Sequence, residues 1–223
     1  DAAFVAAVVF FASLGGRTVR AWQLGLRPTP LARAVGAVVV TLLAFLLFSA
    51  IWASAMEVST KEKLLEQLGT NESTALLVAS AALTCVMAPV CEEILFRGYF
   101  FVALSNWKGW LPAALITGVV FGGVHAGSAP AVDLVPLGAL GFALCVLYRH
   151  TGSLYPCIAV HALNNSFAFG ELEGWGWQTP ALMVASLGTI ALLALALRRA
   201  GVITLPPAGS PASADPPAVA TAP

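Results

Sequence analysis

The stretch CEEILFRGYF (Cys91–Phe100) sets two adjacent carboxylates and an arginine inside a run otherwise fit for lipid. A charge at the centre of a membrane helix costs about 2.5–3.5 kcal/mol on insertion scales, and such residues ordinarily face a partner or a cavity. Glu92, Glu93 and Arg97 therefore predict a helix whose polar face is turned into a bundle. Glu93 and Arg97 are four apart, so their side chains can meet and neutralise each other. Glu92 sits about 100° around the helix from Glu93 at 3.6 residues per turn. It lacks that partner, and a partly desolvated carboxyl without one is the group placed to exchange a proton.

The rest of the chain fits this setting. Of 223 residues, 59% are hydrophobic and only 10% are charged, with 11 basic against 11 acidic side chains. Soluble domains carry about 25% charged residues, so the composition indicates an integral membrane protein. Zero net charge argues against a nucleic-acid or other polyanion partner, whose binding needs a basic surface to neutralise phosphates. Measured against the roughly 17–25 residues needed to span the hydrocarbon core, the sequence predicts helices near 2–14, 34–56, 74–104, 111–127, 131–149, 153–170 and 179–197. The expected fold class is thus all-α: a polytopic transmembrane helix bundle of about seven spans enclosing an intramembrane polar cavity.

Charge placement supports the alternation. With the first helix running outside to inside, Arg17, Arg20, Arg27, Arg33, Lys108, Arg149, Arg198 and Arg199 fall on the cytoplasmic side and only Lys61 and Lys63 outside, in agreement with the positive-inside rule. Within the polar stretch Met56–Ser73, KEKLLEQLG reads as a short amphipathic helix at the outer interface. Trp107, Trp110, Trp175 and Trp177 stand at predicted helix ends as interfacial anchors. Residues 1–203 read as one transmembrane domain, with its motif core at 75–170. Residues 204–223, rich in Pro and Ala, read as a disordered tail.

Two further spans carry polar residues at depth. His125 lies in FGGVHAG with Phe121 one turn before it, and His161 lies in HALNNSF with Asn165 one turn after it. Asn164 points about 60° away from His161, which makes Asn165 the chosen amide. Gly118, Gly122, Gly123 and Gly127 beside His125, and Ala159 and Ala162 beside His161, permit close helix approach. Counted from the predicted cytoplasmic helix ends at about 1.5 Å per residue, Glu92, His125 and His161 lie about 18, 21 and 12 Å into the membrane, compatible with one cluster.

EExxxR, FxxxH and HxxxN, in that order and each on its own membrane helix, resemble the CPBP family of intramembrane proteases: the type II CAAX prenyl endopeptidases and their Abi and bacteriocin-processing relatives. The matching residues are Glu92, Glu93 and Arg97; Phe121 and His125; His161 and Asn165. GLRP at 25–28 also looks like these proteins. The resemblance implies peptide-bond hydrolysis within the bilayer. Glu92 and His125 would activate water, with His161 and Asn165 polarising the scissile carbonyl, and Glu93, Arg97 and Phe121 supporting the arrangement.

Two cofactor readings stay open at this stage. Glu92, His125 and His161 would be the ligands of a catalytic zinc, yet a metal-free glutamate mechanism uses the same residues, and there is no HExxH. A cysteine peptidase centred on Cys91 is disfavoured, because Cys91 and Glu92 diverge by about 100° and a buried thiol is inert by default. The alternative class is a non-catalytic scaffold or a proton-linked transporter using the same polar cluster. No internal symmetry of the transporter kind is visible. The expected partners are membrane lipid and a membrane-associated protein or peptide substrate, and the expected location is a bacterial cytoplasmic membrane.

Overall fold

The computed structural model describes residues 5, 6, 8, 10, 19–56 and 73–206. The predicted first span at 2–14, apart from those four positions, the KEKLLEQLG segment and the tail from 207 lie outside the described residues. Helix α1 is Leu31–Met56, α2 is Thr74–Lys108, α3 is Trp110–Val124, α4 is Leu134–Thr151, α5 is Leu154–Leu172 and α6 is Gln178–Arg199. Short 3-10 turns at Ala21–Leu24 and Ala131–Asp133 lead into α1 and α4. There is no named strand among the described residues, so the chain is a helical membrane bundle.

Local sequence explains where four of these helices begin. Pro112, Pro136, Pro156 and Pro180 each occupy the third position of α3, α4, α5 and α6. There the missing N–H would have had no intrahelical acceptor. Ser153 caps α5 by accepting from the Tyr155 N–H, while its own hydroxyl donates to the Arg27 carbonyl at 2.6 Å. The entry segment to α1 is thereby pinned to the α4–α5 turn, and Leu154 N–H donates to Gly25 O at 2.9 Å. Gly25 has φ +90° and a Cβ there would lie 2.7 Å from the Tyr148 hydroxyl, so the GLRP segment requires glycine on both counts. At the same end of the bundle the Arg149 guanidinium covers the Trp110 ring at 4.7 Å.

The count of seven spans is not confirmed. Among the described residues four helices, α1, α2, α4 and α6, are long and apolar enough to cross a membrane. Helix α3 has only 15 residues, or about 22 Å. Helix α5 has 19, but His161, Asn164, Asn165 and Ser166 interrupt its apolar surface. Burial shows why a polar α5 is tolerated: ten of its residues are buried, whereas α1 buries Phe45 alone and α6 only Thr179 and Ser186. Helices α1 and α6 form the apolar periphery, and α5 runs through the interior.

Lipid tails are as apolar as leucine, so helix association in a membrane depends on close packing and hydrogen bonds. The tightest seam here joins α3 to α4. A Cβ on Gly118 would lie 2.8 Å from the Gly138 carbonyl oxygen, and one on Gly141 would lie 2.8 Å from the Phe121 Cβ. A Cβ on Gly122 would run into the Leu134 carbonyl oxygen, while Gly123, one position on, has open space. Gly122→Leu should therefore cost about 1–3 kcal/mol, the usual penalty of overpacking, and Gly123→Leu should be neutral. Thermal unfolding of both variants in detergent checks this; equal losses would remove the seam from the account.

Candidate active site

Helix α2 is not a uniform α-helix. Its Ala88–Glu93 portion is regular, but Leu83–Met87 before it and Ile94–Phe101 after it are wound as wider π-turns. Such turns shift the facing of all that follows them and concentrate at functional sites. The two glutamates thus sit at the end of a short regular segment between two π segments.

Glu93 is fully buried. Its Oε1 accepts from Arg97 Nη1 at 2.7 Å and from His161 Nδ1 at 2.8 Å. Arg97, also fully buried, donates through Nη2 to the Gly141 carbonyl at 3.0 Å, and its guanidinium lies 4.6 Å from the centre of the Phe121 ring. One carboxylate and one guanidinium therefore tie α2 to α4 and α5 and contact α3. A carboxylate held by a guanidinium accepts only, so His161 donates from Nδ1, and in the neutral form its Nε2 is bare.

That Nε2 lies 3.9 Å from Glu92 Oε2, beyond hydrogen-bond length. Glu92 is 14% exposed, and its Oε2 is buried without a hydrogen-bond partner among the described residues. The second glutamate is thus the uncommitted one, with an acceptor oxygen turned toward the histidine.

His125 is the C-cap of α3 rather than a residue within it, because the helix ends at Val124 and not at 127. Its Nδ1 is 2.7 Å from the Phe121 carbonyl oxygen. A carbonyl only accepts, so Nδ1 carries the proton and Nε2 is again bare in the neutral form. The Phe121 ring lies 5.0 Å from the His125 ring and 5.6 Å from the His161 ring, edge-on to the latter. Asn165 Nδ2 donates to the Thr84 carbonyl at 2.9 Å, and Asn164 Nδ2 donates to Asn165 Oδ1 at 3.4 Å. One amide hydrogen of Asn165, which sequence reading aimed at substrate, is therefore committed to α2.

The structure brings Glu92, Glu93, Arg97, Phe121 and His161 into one cluster, with His125 on the shared phenyl ring and Asn165 one helical turn along α5. Among the described residues no three His, Cys, Asp or Glu side chains are grouped to hold a metal. Two participants escaped the sequence reading, the carbonyls of Gly141 and Thr84. Only Pro89, an N–H-deficient residue in mid-helix, gave a sequence signal for the second.

Residues 74–167 match the family described as "Type II CAAX prenyl endopeptidase Rce1-like". The chain is also 35% identical over 82 residues to the Bacillus subtilis (strain 168) protein described as "Putative membrane peptidase YdiL". That alignment covers 37% of this chain and spans about a third, 32%, of the relative's length. No solved structure matches.

Removing one partner of a buried ion pair strands the other, a loss of about 3–5 kcal/mol. Arg97→Leu should destabilise the protein on that scale, and Glu93→Leu combined with Arg97→Leu should recover part of the loss. Denaturation in mixed micelles measures both; a double variant no better than the single would mean that the pair is not the element being broken. Through the core at 74–167, which carries the ordered EExxxR, FxxxH and HxxxN motifs, the chain is similar to the type II CAAX prenyl endopeptidase Rce1-like family.

Proposed function

We propose that this protein is an endopeptidase that hydrolyses peptide bonds of membrane-associated proteins or peptides with water activated by Glu92. The observation that carries the reading is the 3.9 Å separation between Glu92 Oε2, which is buried and unpartnered, and His161 Nε2. A water oxygen about 2.8 Å from each atom fits that separation. Low-dielectric surroundings strengthen each polar interaction in such a site.

In this mechanism Glu92 takes a proton from the water as its oxygen attacks the scissile carbonyl, and returns it to the leaving amine. The bare Nε2 of His125 accepts the water's second hydrogen and orients the attack. His161, gripped through Nδ1 by Glu93, acts in its doubly protonated form, its Nε2–H donating first to the oxygen of the attacking water and then to the developing oxyanion. The amide hydrogen of Asn165 not bonded to Thr84 is the second donor to that oxygen. Glu93 and Arg97 form a neutral pair that fixes His161 without entering the reaction. No step of this reading passes through a metal. The Bacillus relative favours a bacterial cytoplasmic membrane as the setting.

The test is cleavage of a library of single-span peptides by the purified protein in proteoliposomes, read by mass spectrometry. Glu92→Gln should lower the rate about 10²–10⁴-fold, the range for loss of a general base. Exhaustive chelation should leave the wild-type rate unchanged. Cleavage that persists in Glu92→Gln contradicts the assignment, and activity lost to chelator and restored by zinc contradicts the metal-free chemistry.

A further inference from the structure

We infer that Asn165 is a positioning residue that closes a break in α2 and so holds Glu92 and Glu93 against His161. The break follows from the winding of the helix. At the end of the wide turn Leu83–Met87 the Ala88 N–H donates to the Leu83 carbonyl, five residues back, and thereby passes over Thr84. In that wider register the donor for the Thr84 carbonyl would be the N–H of residue 89. Residue 89 is a proline and has none. The Thr84 carbonyl has therefore lost both its α-helical and its π-helical donor.

At membrane depth an unsatisfied backbone carbonyl has no water to turn to, so it must find a donor within the protein. Asn165 Nδ2 supplies it at 2.9 Å. The amide is oriented for this, because its Oδ1 accepts from Asn164 Nδ2, which leaves the nitrogen facing Thr84. Four residues earlier on α5, His161 Nδ1 donates to Glu93. Two hydrogen bonds from one face of α5, at His161 and at Asn165, thus grip α2 at Glu93, the end of the Ala88–Glu93 segment, and at Thr84 in the wide turn before it. Loss of the Asn165 bond frees the wide turn, and the glutamates that follow it rotate or shift relative to the His161 ring.

A thermodynamic cycle tests this, since Pro89→Ala restores the main-chain N–H that Asn165 replaces. The four proteins are wild type, Asn165→Leu, Pro89→Ala and the double variant, each compared by thermal unfolding in detergent and by peptide cleavage. Asn165→Leu should lower Tm by about 2–10 °C, as expected for a stranded buried carbonyl in a chain of this size. It should slow cleavage roughly 10–100-fold, as a small misplacement of the reacting groups does. In the Pro89→Ala background the Tm loss should shrink at least threefold, and the cleavage loss should fall to the part due to the amide hydrogen of Asn165 not bonded to Thr84. Losses of equal size in the two backgrounds overturn the proposal, and are what a residue acting solely on substrate would give. If Asn165→Leu does not fold, hydrogen–deuterium exchange across residues 83–93 in Asn165→Asp, which has the same shape without the amide hydrogens, decides instead. Faster exchange there supports the clamp, and unchanged exchange overturns it. The inference rests on the peptidase reading only for its cleavage measurement. A chain that cleaves nothing would count against that reading while the unfolding cycle still judges the clamp.

Discussion

The Glu93 carboxylate is where the bundle is joined. A single buried oxygen receives Arg97 from its own helix and His161 from α5, and Arg97 passes the connection to the Gly141 carbonyl of α4. Three charged or ionisable groups could not occupy this depth separately, because each would forfeit its hydration with nothing in return. Gathered on one oxygen they neutralise one another and fix three helices in register. The glycine seam of α3 and α4 is a condition of this junction, since the Phe121 ring must fit between Gly141 and the guanidinium.

From that junction the two adjacent glutamates take different fates. Glu93 is fully buried, with its Oε1 held by Arg97 and His161 while its Oε2 is buried without a hydrogen-bond partner among the described residues, and it behaves as structure. Glu92, one residue earlier, has no hydrogen-bond partner for its Oε2 among the described residues and retains some exposure. The pair is a case of environment separating chemically identical groups, with burial and partners committing one carboxyl so that its neighbour is left able to react. The histidines are tuned in the same way, each held through Nδ1 by a fixed acceptor, a carboxylate for His161 and a carbonyl for His125.

Much of this was legible in the sequence because the relevant signals are local. The pairing of Glu93 with Arg97 follows from four-residue spacing, the isolation of Glu92 from its neighbouring position, and the contact of Phe121 with His125 from a single turn. The long apolar spans α1, α2, α4 and α6 announce themselves by length and composition. What was missed depends on departures from regular winding or on main-chain atoms, neither of which has a side-chain signature. Two π segments within α2 re-aim its polar residues, and the carbonyls of Thr84 and Gly141 serve as partners, with Pro89 the sole sequence mark of the former and none for the latter. The end of α3 was placed three residues late, at 127 instead of 124, so His125 was expected inside the helix instead of at its cap.

The most direct test of the central claim is the protonation and bonding of His161 in a lipid bilayer. Solid-state NMR of protein carrying ¹⁵N-histidine, with Glu93→Gln as the comparison and His125→Ala and His150→Ala as assignment aids, reads both ring nitrogens of each histidine. The account predicts a protonated, strongly hydrogen-bonded Nδ1 on His161 whose signal moves when Glu93 is replaced. An unprotonated Nδ1, or a His161 spectrum indifferent to Glu93→Gln, would contradict the junction on which the rest of the structure depends.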